Sequence, residues 1–194
     1  MTGVILCGGE STRMDSDKGL LKYNSNTWAQ IAANKIKDLR IPVVISINKK
    51  QHDAYSLIFL PQTLVVDEGP LQIRGPLCGL LSVHLKYPEE DLLILACDMP
   101  LIEADLLKEL LKHYHQQETF DTFVYKNDEE FEPLCGVYKA NGLSKIFSFY
   151  QTNRLAKHSM KFILEQMNTF AIPLSERKKH CFRNFNTREE LNGL

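Results

Sequence analysis

Short apolar runs alternate with amphipathic stretches along the first part of the chain. Four runs rich in aliphatic and β-branched residues predict strands at 3–7, 42–47, 64–66 and 91–96. Between them, apolar residues recur every three or four positions, which predicts helices that begin near Thr27, after Gly75 and Pro76, and after Pro100. Such alternation is typical of a mostly parallel sheet covered on both faces. We therefore expect a Rossmann-like α/β fold.

The pattern changes beyond about residue 120. The segments FDTFVYK and EPLCGVYKA flank the acidic turn NDEEFE and predict a short antiparallel pair of strands. Helices are predicted at 141–150 and 159–167, a short strand at FAIPL, and a terminal helix in NFNTREEL with Thr187 as its cap. The first helix of the chain is expected to bury one face, formed by Trp28, Ile31, Ala32, Ile36 and Leu39.

Composition narrows the class of protein. The sequence is 44% hydrophobic and 24% charged with a formal net charge of -1, as in ordinary soluble globular proteins. A charge so close to zero predicts no binding to nucleic acid or to an anionic membrane, so an anionic ligand would need a local cluster of cations. No signal peptide or long apolar span is evident, and five scattered cysteines without a C-x-x-C pair predict buried thiols rather than zinc ligands. We expect a cytoplasmic protein.

The residues that follow the predicted strands are the candidates for chemistry, because ligands bind outside the carboxyl ends of parallel strands. The stretch GVILCGGESTRMDSDKGLL follows the first strand. Its double glycine, Gly8 and Gly9, exposes backbone N–H groups, while Arg13 and Lys18 supply cations, a combination that suits phosphate. It matches neither the P-loop pattern nor G-x-G-x-x-G. The alternative is a solvated surface turn.

Carboxylates follow two other predicted strands. Asp98, in LLILACDMP, is suited to Mg²⁺, which prefers one or two carboxylates together with substrate phosphates. Asp67, in VVDEGP, could accept hydrogen bonds from ribose hydroxyls or base N–H groups. The alternatives are a helix-capping aspartate and a turn aspartate. Gly75 and Pro76 mark a helix start that would favour an anion.

Five stretches in this order resemble the molybdenum cofactor guanylyltransferases and their nucleotidyltransferase relatives. The first, LCGGESTRMDSDKGLL, is similar to the family signature L-A-G-G-x-S-x-R-M-G-x-x-K; the others are VVDEGP, GPLCGLLSV, LLILACDMPLI and NFNTREEL. The resemblance implies an α/β enzyme that transfers GMP from GTP to the phosphate of molybdopterin with Mg²⁺ and releases pyrophosphate. It also implies one domain, with a nucleotide-binding half at about 1–118 and an acceptor-binding half at about 119–194, and contacts with proteins that deliver or receive the cofactor.

The resemblance also implies roles for individual residues. Lys18, Arg13 and Asp98 would be catalytic, and Asp98 would hold the metal. The nucleotide would contact Leu6, Cys7, Gly8, Gly9, Lys18, Ser46 or Asn48, Asp67 and Asp98, and the acceptor would contact Arg13, Gly75, Asn184 and Asn186. Asp15 and Arg188 depart from the family pattern, which has glycine and proline there. A cytidylyl or sugar-phosphate nucleotidyltransferase, or a non-catalytic nucleotide or cofactor carrier, remains an alternative.

Overall fold

The computed structural model describes residues 1–8, 17–69, 71–185 and 190. Its strands are β1 (Thr2–Leu6), β2 (Lys22–Tyr23), β3 (Asn26–Thr27), β4 (Val43–Ile47), β5 (Leu64–Val66), β6 (Leu92–Ala96), β7 (Thr122–Asn127), β8 (Glu130–Tyr138) and β9 (Thr169–Pro173). Its α-helices are α1 (Trp28–Lys37), α2 (His52–Ser56), α3 (Pro76–Lys86), α4 (Ala104–Gln116), α5 (Ala140–Gln151) and α6 (Met160–Glu165). Short 3-10 helices include Lys18–Leu20, Lys49–Gln51 and Glu176–Phe182.

Seven of these strands form one sheet in the order β5-β4-β1-β6-β8-β7-β9. Strand β1 pairs in parallel with β4 and β6, and β4 pairs in parallel with β5. Strand β8 runs antiparallel to β6 and β7, whereas β9 pairs in parallel with β7. The predicted α/β class with an antiparallel element in the second half is therefore confirmed. The register places Leu6 opposite both Ser46 and Ala96, so the carboxyl ends of β4, β1 and β6 lie side by side.

Helices cover both faces of the sheet. Successive residues of a strand point to opposite faces, so neighbouring residues of β1 pack in different cores. Ile5 packs in a core with residues of α1 and α4. Its neighbours Val4 and Leu6 pack in a second core with residues of α3, α5 and α6. Within the residues described, no helix is both long and apolar enough to cross a membrane.

Helix α1 illustrates where the sequence pattern was right and where it was wrong. The helix starts next to Thr27, as expected, and Thr27 is its cap: its hydroxyl accepts from the Gln30 N–H at 3.2 Å, and the Gln30 side chain accepts from the Thr27 N–H at 2.9 Å. The buried face consists of Trp28, Ala29, Ala32, Ala33 and Ile36. Leu39 lies beyond the end of the helix at Lys37 and Ile31 is not fully buried, but both pack partly buried against core residues.

Other differences concern elements with weak local signals. The turn between β7 and β8 is only Asp128 and Glu129, because Asp128 adopts a left-handed φ of 53° that reverses the chain tightly. The β2-β3 hairpin, α2 and the parallel pairing of β9 were not predicted. Helix α6 is shorter than the predicted 159–167. The predicted terminal helix and its Thr187 cap fall almost entirely outside the described residues.

Candidate active site

A cavity of about 220 Å³ opens at the carboxyl ends of β1 and β6. It is lined by Leu6, Cys7, Gly8, Asp17, Lys18, Pro76, Ala96, Cys97, Asp98 and Leu134. Five of the predicted site residues, Leu6, Cys7, Gly8, Lys18 and Asp98, thus share one cavity although the last is far from the others in sequence. The topology explains this, since two adjacent parallel strands deliver their terminal loops to the same edge of the sheet.

Lys18 and Asp98 form an ion pair in this cavity. The Lys18 Nζ atom lies 3.2 Å from Asp98 Oδ2, and the two side chains are 28% and 20% exposed. Partial shielding from water strengthens the interaction, while the remaining exposure leaves both groups accessible to a ligand. The pair therefore offers a cation for phosphate oxygens beside a carboxylate that suits a divalent metal.

Asp17 holds the turn that carries Lys18. Its carboxylate accepts hydrogen bonds from the Gly19 N–H at 2.9 Å, from Gln51 Nε2 at 2.7 Å and from the Tyr55 hydroxyl at 3.1 Å. Gln51 Nε2 also donates to the Cys7 carbonyl at 2.9 Å, which links the turn to the end of β1. Three donors on one carboxylate fix the position of the residue next to Lys18.

Sequence reasoning missed this support for Lys18. None of the three residues Asp17, Gln51 and Tyr55 is among the residues predicted for the site. The one local signal is the capping box formed by Asn48 and Gln51, in which the Asn48 side chain accepts from the Gln51 N–H at 3.2 Å. That motif could have located Gln51 at the start of a helical turn, but not its contact with Asp17.

Gly19 lies in close contact with the same network. A Cβ atom at this position would meet the Tyr55 hydroxyl oxygen at 2.1 Å. Tyr55 is fully buried, so its ring has little room to move away. Glycine is therefore required here by space rather than by backbone conformation.

Asp67 and Ser46 form a second polar group next to the cavity. The Ser46 hydroxyl donates to Asp67 Oδ1 at 3.4 Å, and the space beside Gly8 is limited because a Cβ there would lie 3.0 Å from Asp67 Oδ2. Burial raises the pKa of Asp67 to about 6. A partly desolvated carboxylate beside a glycine backbone can accept N–H or O–H groups from a ligand.

The structure distinguishes between the two candidates on β4. Ser46 is buried and contacts Asp67, whereas the Asn48 side chain accepts from the N–H groups of Lys50 and Gln51 as a helix cap. Ser46 is therefore the one that lies against the carboxylate.

Of the residues assigned to the acceptor, the structure describes Gly75 and Asn184. Gly75 is exposed, has φ of 75°, and precedes Pro76, which lines the cavity. Asn184 is exposed and adjacent to Phe185, whose N–H donates to the Asp98 carbonyl at 3.0 Å. Gly9, Arg13 and Asn186, together with Asp15 and Arg188, lie outside the described residues.

Two buried cysteines, Cys7 and Cys97, also line the cavity. A hydrogen bond with Cys7, followed by burial, raises the pKa of Cys97 well above its usual range. Cys7 and Cys97 are both buried and unpaired by disulfide. The raised pKa makes the Cys97 thiol a poor nucleophile at neutral pH.

Comparison with known proteins finds a matching family model, curated relatives and similar solved structures. The family model described as MobA-like NTP transferase domain matches residues 3–169. A protein of Flavobacterium johnsoniae named probable molybdenum cofactor guanylyltransferase is 30% identical over 195 residues, covering 100% of this chain and 96% of that protein. A protein of the same name from Clostridium perfringens is 28% identical over 198 residues, covering 100% of this chain and 95% of that protein. Among solved structures, molybdopterin-guanine dinucleotide biosynthesis protein A from Archaeoglobus fulgidus has a TM-score of 0.77 at 19% identity and covers 100% of this chain and 96% of its own, which supports the same fold.

Proposed function

The chain belongs to the MobA-like NTP transferase family, and from this premise we propose that it transfers GMP from GTP to the phosphate of molybdopterin and releases pyrophosphate. The observation that carries the proposal is the ion pair of Lys18 and Asp98 in a cavity at the ends of two parallel strands. The full-length similarity to proteins named molybdenum cofactor guanylyltransferase supports this choice of nucleotide and acceptor.

The reaction needs no general base. A terminal phosphate oxygen of molybdopterin, already an anion, forms a bond to the α-phosphorus of GTP while the bond from that phosphorus to the bridging oxygen breaks. Pyrophosphate leaves with the electron pair. Repulsion between the two anions is the main obstacle, so catalysis depends on alignment and on nearby positive charge. Lys18 supplies that charge in the cavity, and we assign the same role to Arg13.

Asp98 fits a magnesium ion. It is a partly exposed carboxylate that lines the cavity opposite Lys18, and Mg²⁺ is commonly bound by one or two carboxylates plus substrate phosphates. The ion would supply further neutralisation of phosphate charge. Asp98 would hold the ion, and Lys18, which lies 3.2 Å from Asp98 Oδ2, would contact the phosphate oxygens.

The remaining residues divide between nucleotide and acceptor. Asp67, supported by Ser46, accepts hydrogen bonds from the nucleoside, and the backbone of 6–9 approaches the nucleotide. We assign Gly75, Asn184 and Asn186 to contacts with the pterin. The nucleotide half is 1–118 and the acceptor half 119–194 of one domain. We place the reaction in the cytoplasm because the five cysteines carry no disulfide.

The test is a single-turnover assay with purified chain, molybdopterin, Mg²⁺ and either GTP or CTP. Pyrophosphate release with GTP, together with a product that has gained the mass of GMP, is expected. A clear preference for CTP would overturn the guanylyl assignment. Binding of GTP without any pyrophosphate release would instead favour a carrier. Asp98→Ala serves as the matched inactive variant, and circular dichroism establishes that it is folded.

A further inference from the structure

Three potential metal-ligating side chains converge away from the cavity, at the other end of the loop that carries Asp98. Glu103 is the residue before α4, while His180 and Cys181 belong to the 3-10 helix Glu176–Phe182. One ligand atom from each lies within 4.8 Å of the others. We propose that Glu103, His180 and Cys181 form a binding site for one Zn²⁺ ion.

The spacing of the ligand atoms supports zinc. Cys181 Sγ lies 3.4 Å from Glu103 Oε1 and 3.5 Å from His180 Nε2. Tetrahedral zinc with ordinary bond lengths places sulfur and nitrogen or oxygen ligands about 3.4–3.6 Å apart. The thiol is thus already at the separations from the carboxylate and the imidazole that one ion requires, and the carboxylate and imidazole ligand atoms lie within 4.8 Å of each other. A thiolate ligand also favours zinc over Mg²⁺ or Ca²⁺, which prefer oxygen.

The proposed zinc site is closed on the side of the protein core and open on the side of the solvent. Cys181 is fully buried, whereas the Glu103 side chain is 44% exposed and His180 is exposed, so an ion can enter from solvent. Lys178 forms an ion pair with the other carboxylate oxygen of Glu103, Oε2. This contact leaves Oε1 directed at Cys181 and provides the kind of second contact that orients metal ligands. Three protein ligands leave the fourth position to water.

An ion at this site would connect two segments that both reach Asp98. Glu103 lies five residues after Asp98, and Phe185, four residues after Cys181, donates its N–H to the Asp98 carbonyl. Zinc would fasten the C-terminal segment to this loop. Zinc binding at this site does not require nucleotide in the cavity. The zinc proposal and the proposed GMP transfer can therefore be tested independently.

The experiment is a Co²⁺ titration of the full chain after reduction and removal of metals with a chelator. Co²⁺ replaces zinc in such sites and shows a thiolate-to-metal absorption band, which is expected to saturate at one ion per chain and to vanish when Zn²⁺ is added. Zn²⁺ at a hundredfold excess over its Kd is expected to raise the melting temperature by about 5 °C. No thiolate band in the unaltered chain would overturn the proposal.

Variants assign the ligands. Cys181→Ser abolishes the thiolate band, and Glu103→Gln and His180→Ala each weaken Co²⁺ binding by about tenfold or more, since even outer contacts of metal sites contribute that much. Cys78→Ser, on α3 at the opposite face of the sheet, and His115→Ala are matched controls that leave the band unchanged. A band that persists in Cys181→Ser would overturn the proposal. If Cys181→Ser fails to fold, Glu103→Gln and His180→Ala test the site instead, because both replace exposed side chains. Unaltered Co²⁺ affinity in both variants would contradict the site.

Discussion

The hydroxyl of Tyr55 donates a hydrogen bond to the Asp17 carboxylate across 3.1 Å, although the two residues belong to different segments of the chain. Burial, followed by the proximity of Cys7, raises the pKa of Tyr55 above its usual range, so the hydroxyl stays a donor at neutral pH. Through Asp17, this buried tyrosine positions the turn from which Lys18 reaches Asp98.

Tyr55→Phe should weaken catalysis without unfolding the protein. The ring keeps its packing, but Asp17 loses one of its three donors, which costs about 1 kcal/mol. Lys18 is then held less firmly, and we expect kcat/KM for GTP to fall about fivefold to tenfold. Steady-state kinetics measures this, with the exposed Tyr23→Phe as control. An unchanged kcat/KM would show that the hydrogen bond does not position Lys18.

Gly19→Ala tests the same network by introducing a steric collision. The added methyl collides with the Tyr55 hydroxyl, so the variant should lose stability and activity together. Removing that hydroxyl relieves the collision, because the next atom, Tyr55 Cζ, lies 3.3 Å from the Cβ position. Gly19→Ala should therefore cost less in the Tyr55→Phe background than alone. Urea unfolding of the four proteins in this double-mutant cycle measures the coupling; simple additivity would contradict the proposed contact.

Lys18→Met should reduce turnover far more than stability. Removing one preorganised positive group at a site of developing charge costs about 10²- to 10³-fold in kcat. The partly exposed pair with Asp98 contributes at most about 1 kcal/mol to folding. Pyrophosphate release and thermal melting are measured on the same samples, and Lys22→Met, at an exposed position nearby, is the control. Comparable turnover in both variants would remove Lys18 from the mechanism.

Nucleoside binding should depend on pH through Asp67. Its folded-state pKa of about 6 means that the carboxylate is largely protonated at pH 5 and ionised at pH 7. If the ionised form accepts hydrogen bonds, guanosine affinity should rise as the pH increases from 5 to 7 and level off above. Guanosine is the suitable probe because it carries no phosphate that titrates in this range. Asp67→Asn should bind guanosine more weakly and with a flat profile; a flat profile in the unaltered protein would exclude Asp67.

The same group predicts the sign of a stability change. Its unfolded pKa is about 3.9, below the folded value, so the folded state binds more protons between these values. The free energy of unfolding should therefore fall as the pH rises from about 4 to about 6 and stay level above, as far as this residue is concerned. Asp67→Asn should remove that component, which urea unfolding across the range would reveal.

Much of the fold follows from local patterns. The apolar runs around β1, β4, β5 and β6 specify strands, and the rule for parallel sheets then places Gly8, Lys18 and Asp98 at one edge. Contacts that depend on the approach of distant segments leave no such pattern. Tyr55 belongs to a five-residue helix with no clear periodicity, and its hydrogen bond exists because Gly19 leaves room for the hydroxyl. Cys181 and Glu103 are 78 positions apart and are brought together only by the folded chain, so the spacing between cysteines could not indicate their contact.

The contact of Trp28 with Phe185 gives this molecule its own optical reporter. Trp28 is the single tryptophan of the sequence, it is completely buried, and its ring meets that of Phe185 edge to face with centroids 6.5 Å apart. Since the Phe185 N–H donates a hydrogen bond to the Asp98 carbonyl, the emission of one indole reports whether the C-terminal segment packs against the loop that carries Asp98. Intrinsic fluorescence can therefore follow the docking of this segment, with no attached dye, as nucleotide, acceptor or metal is added.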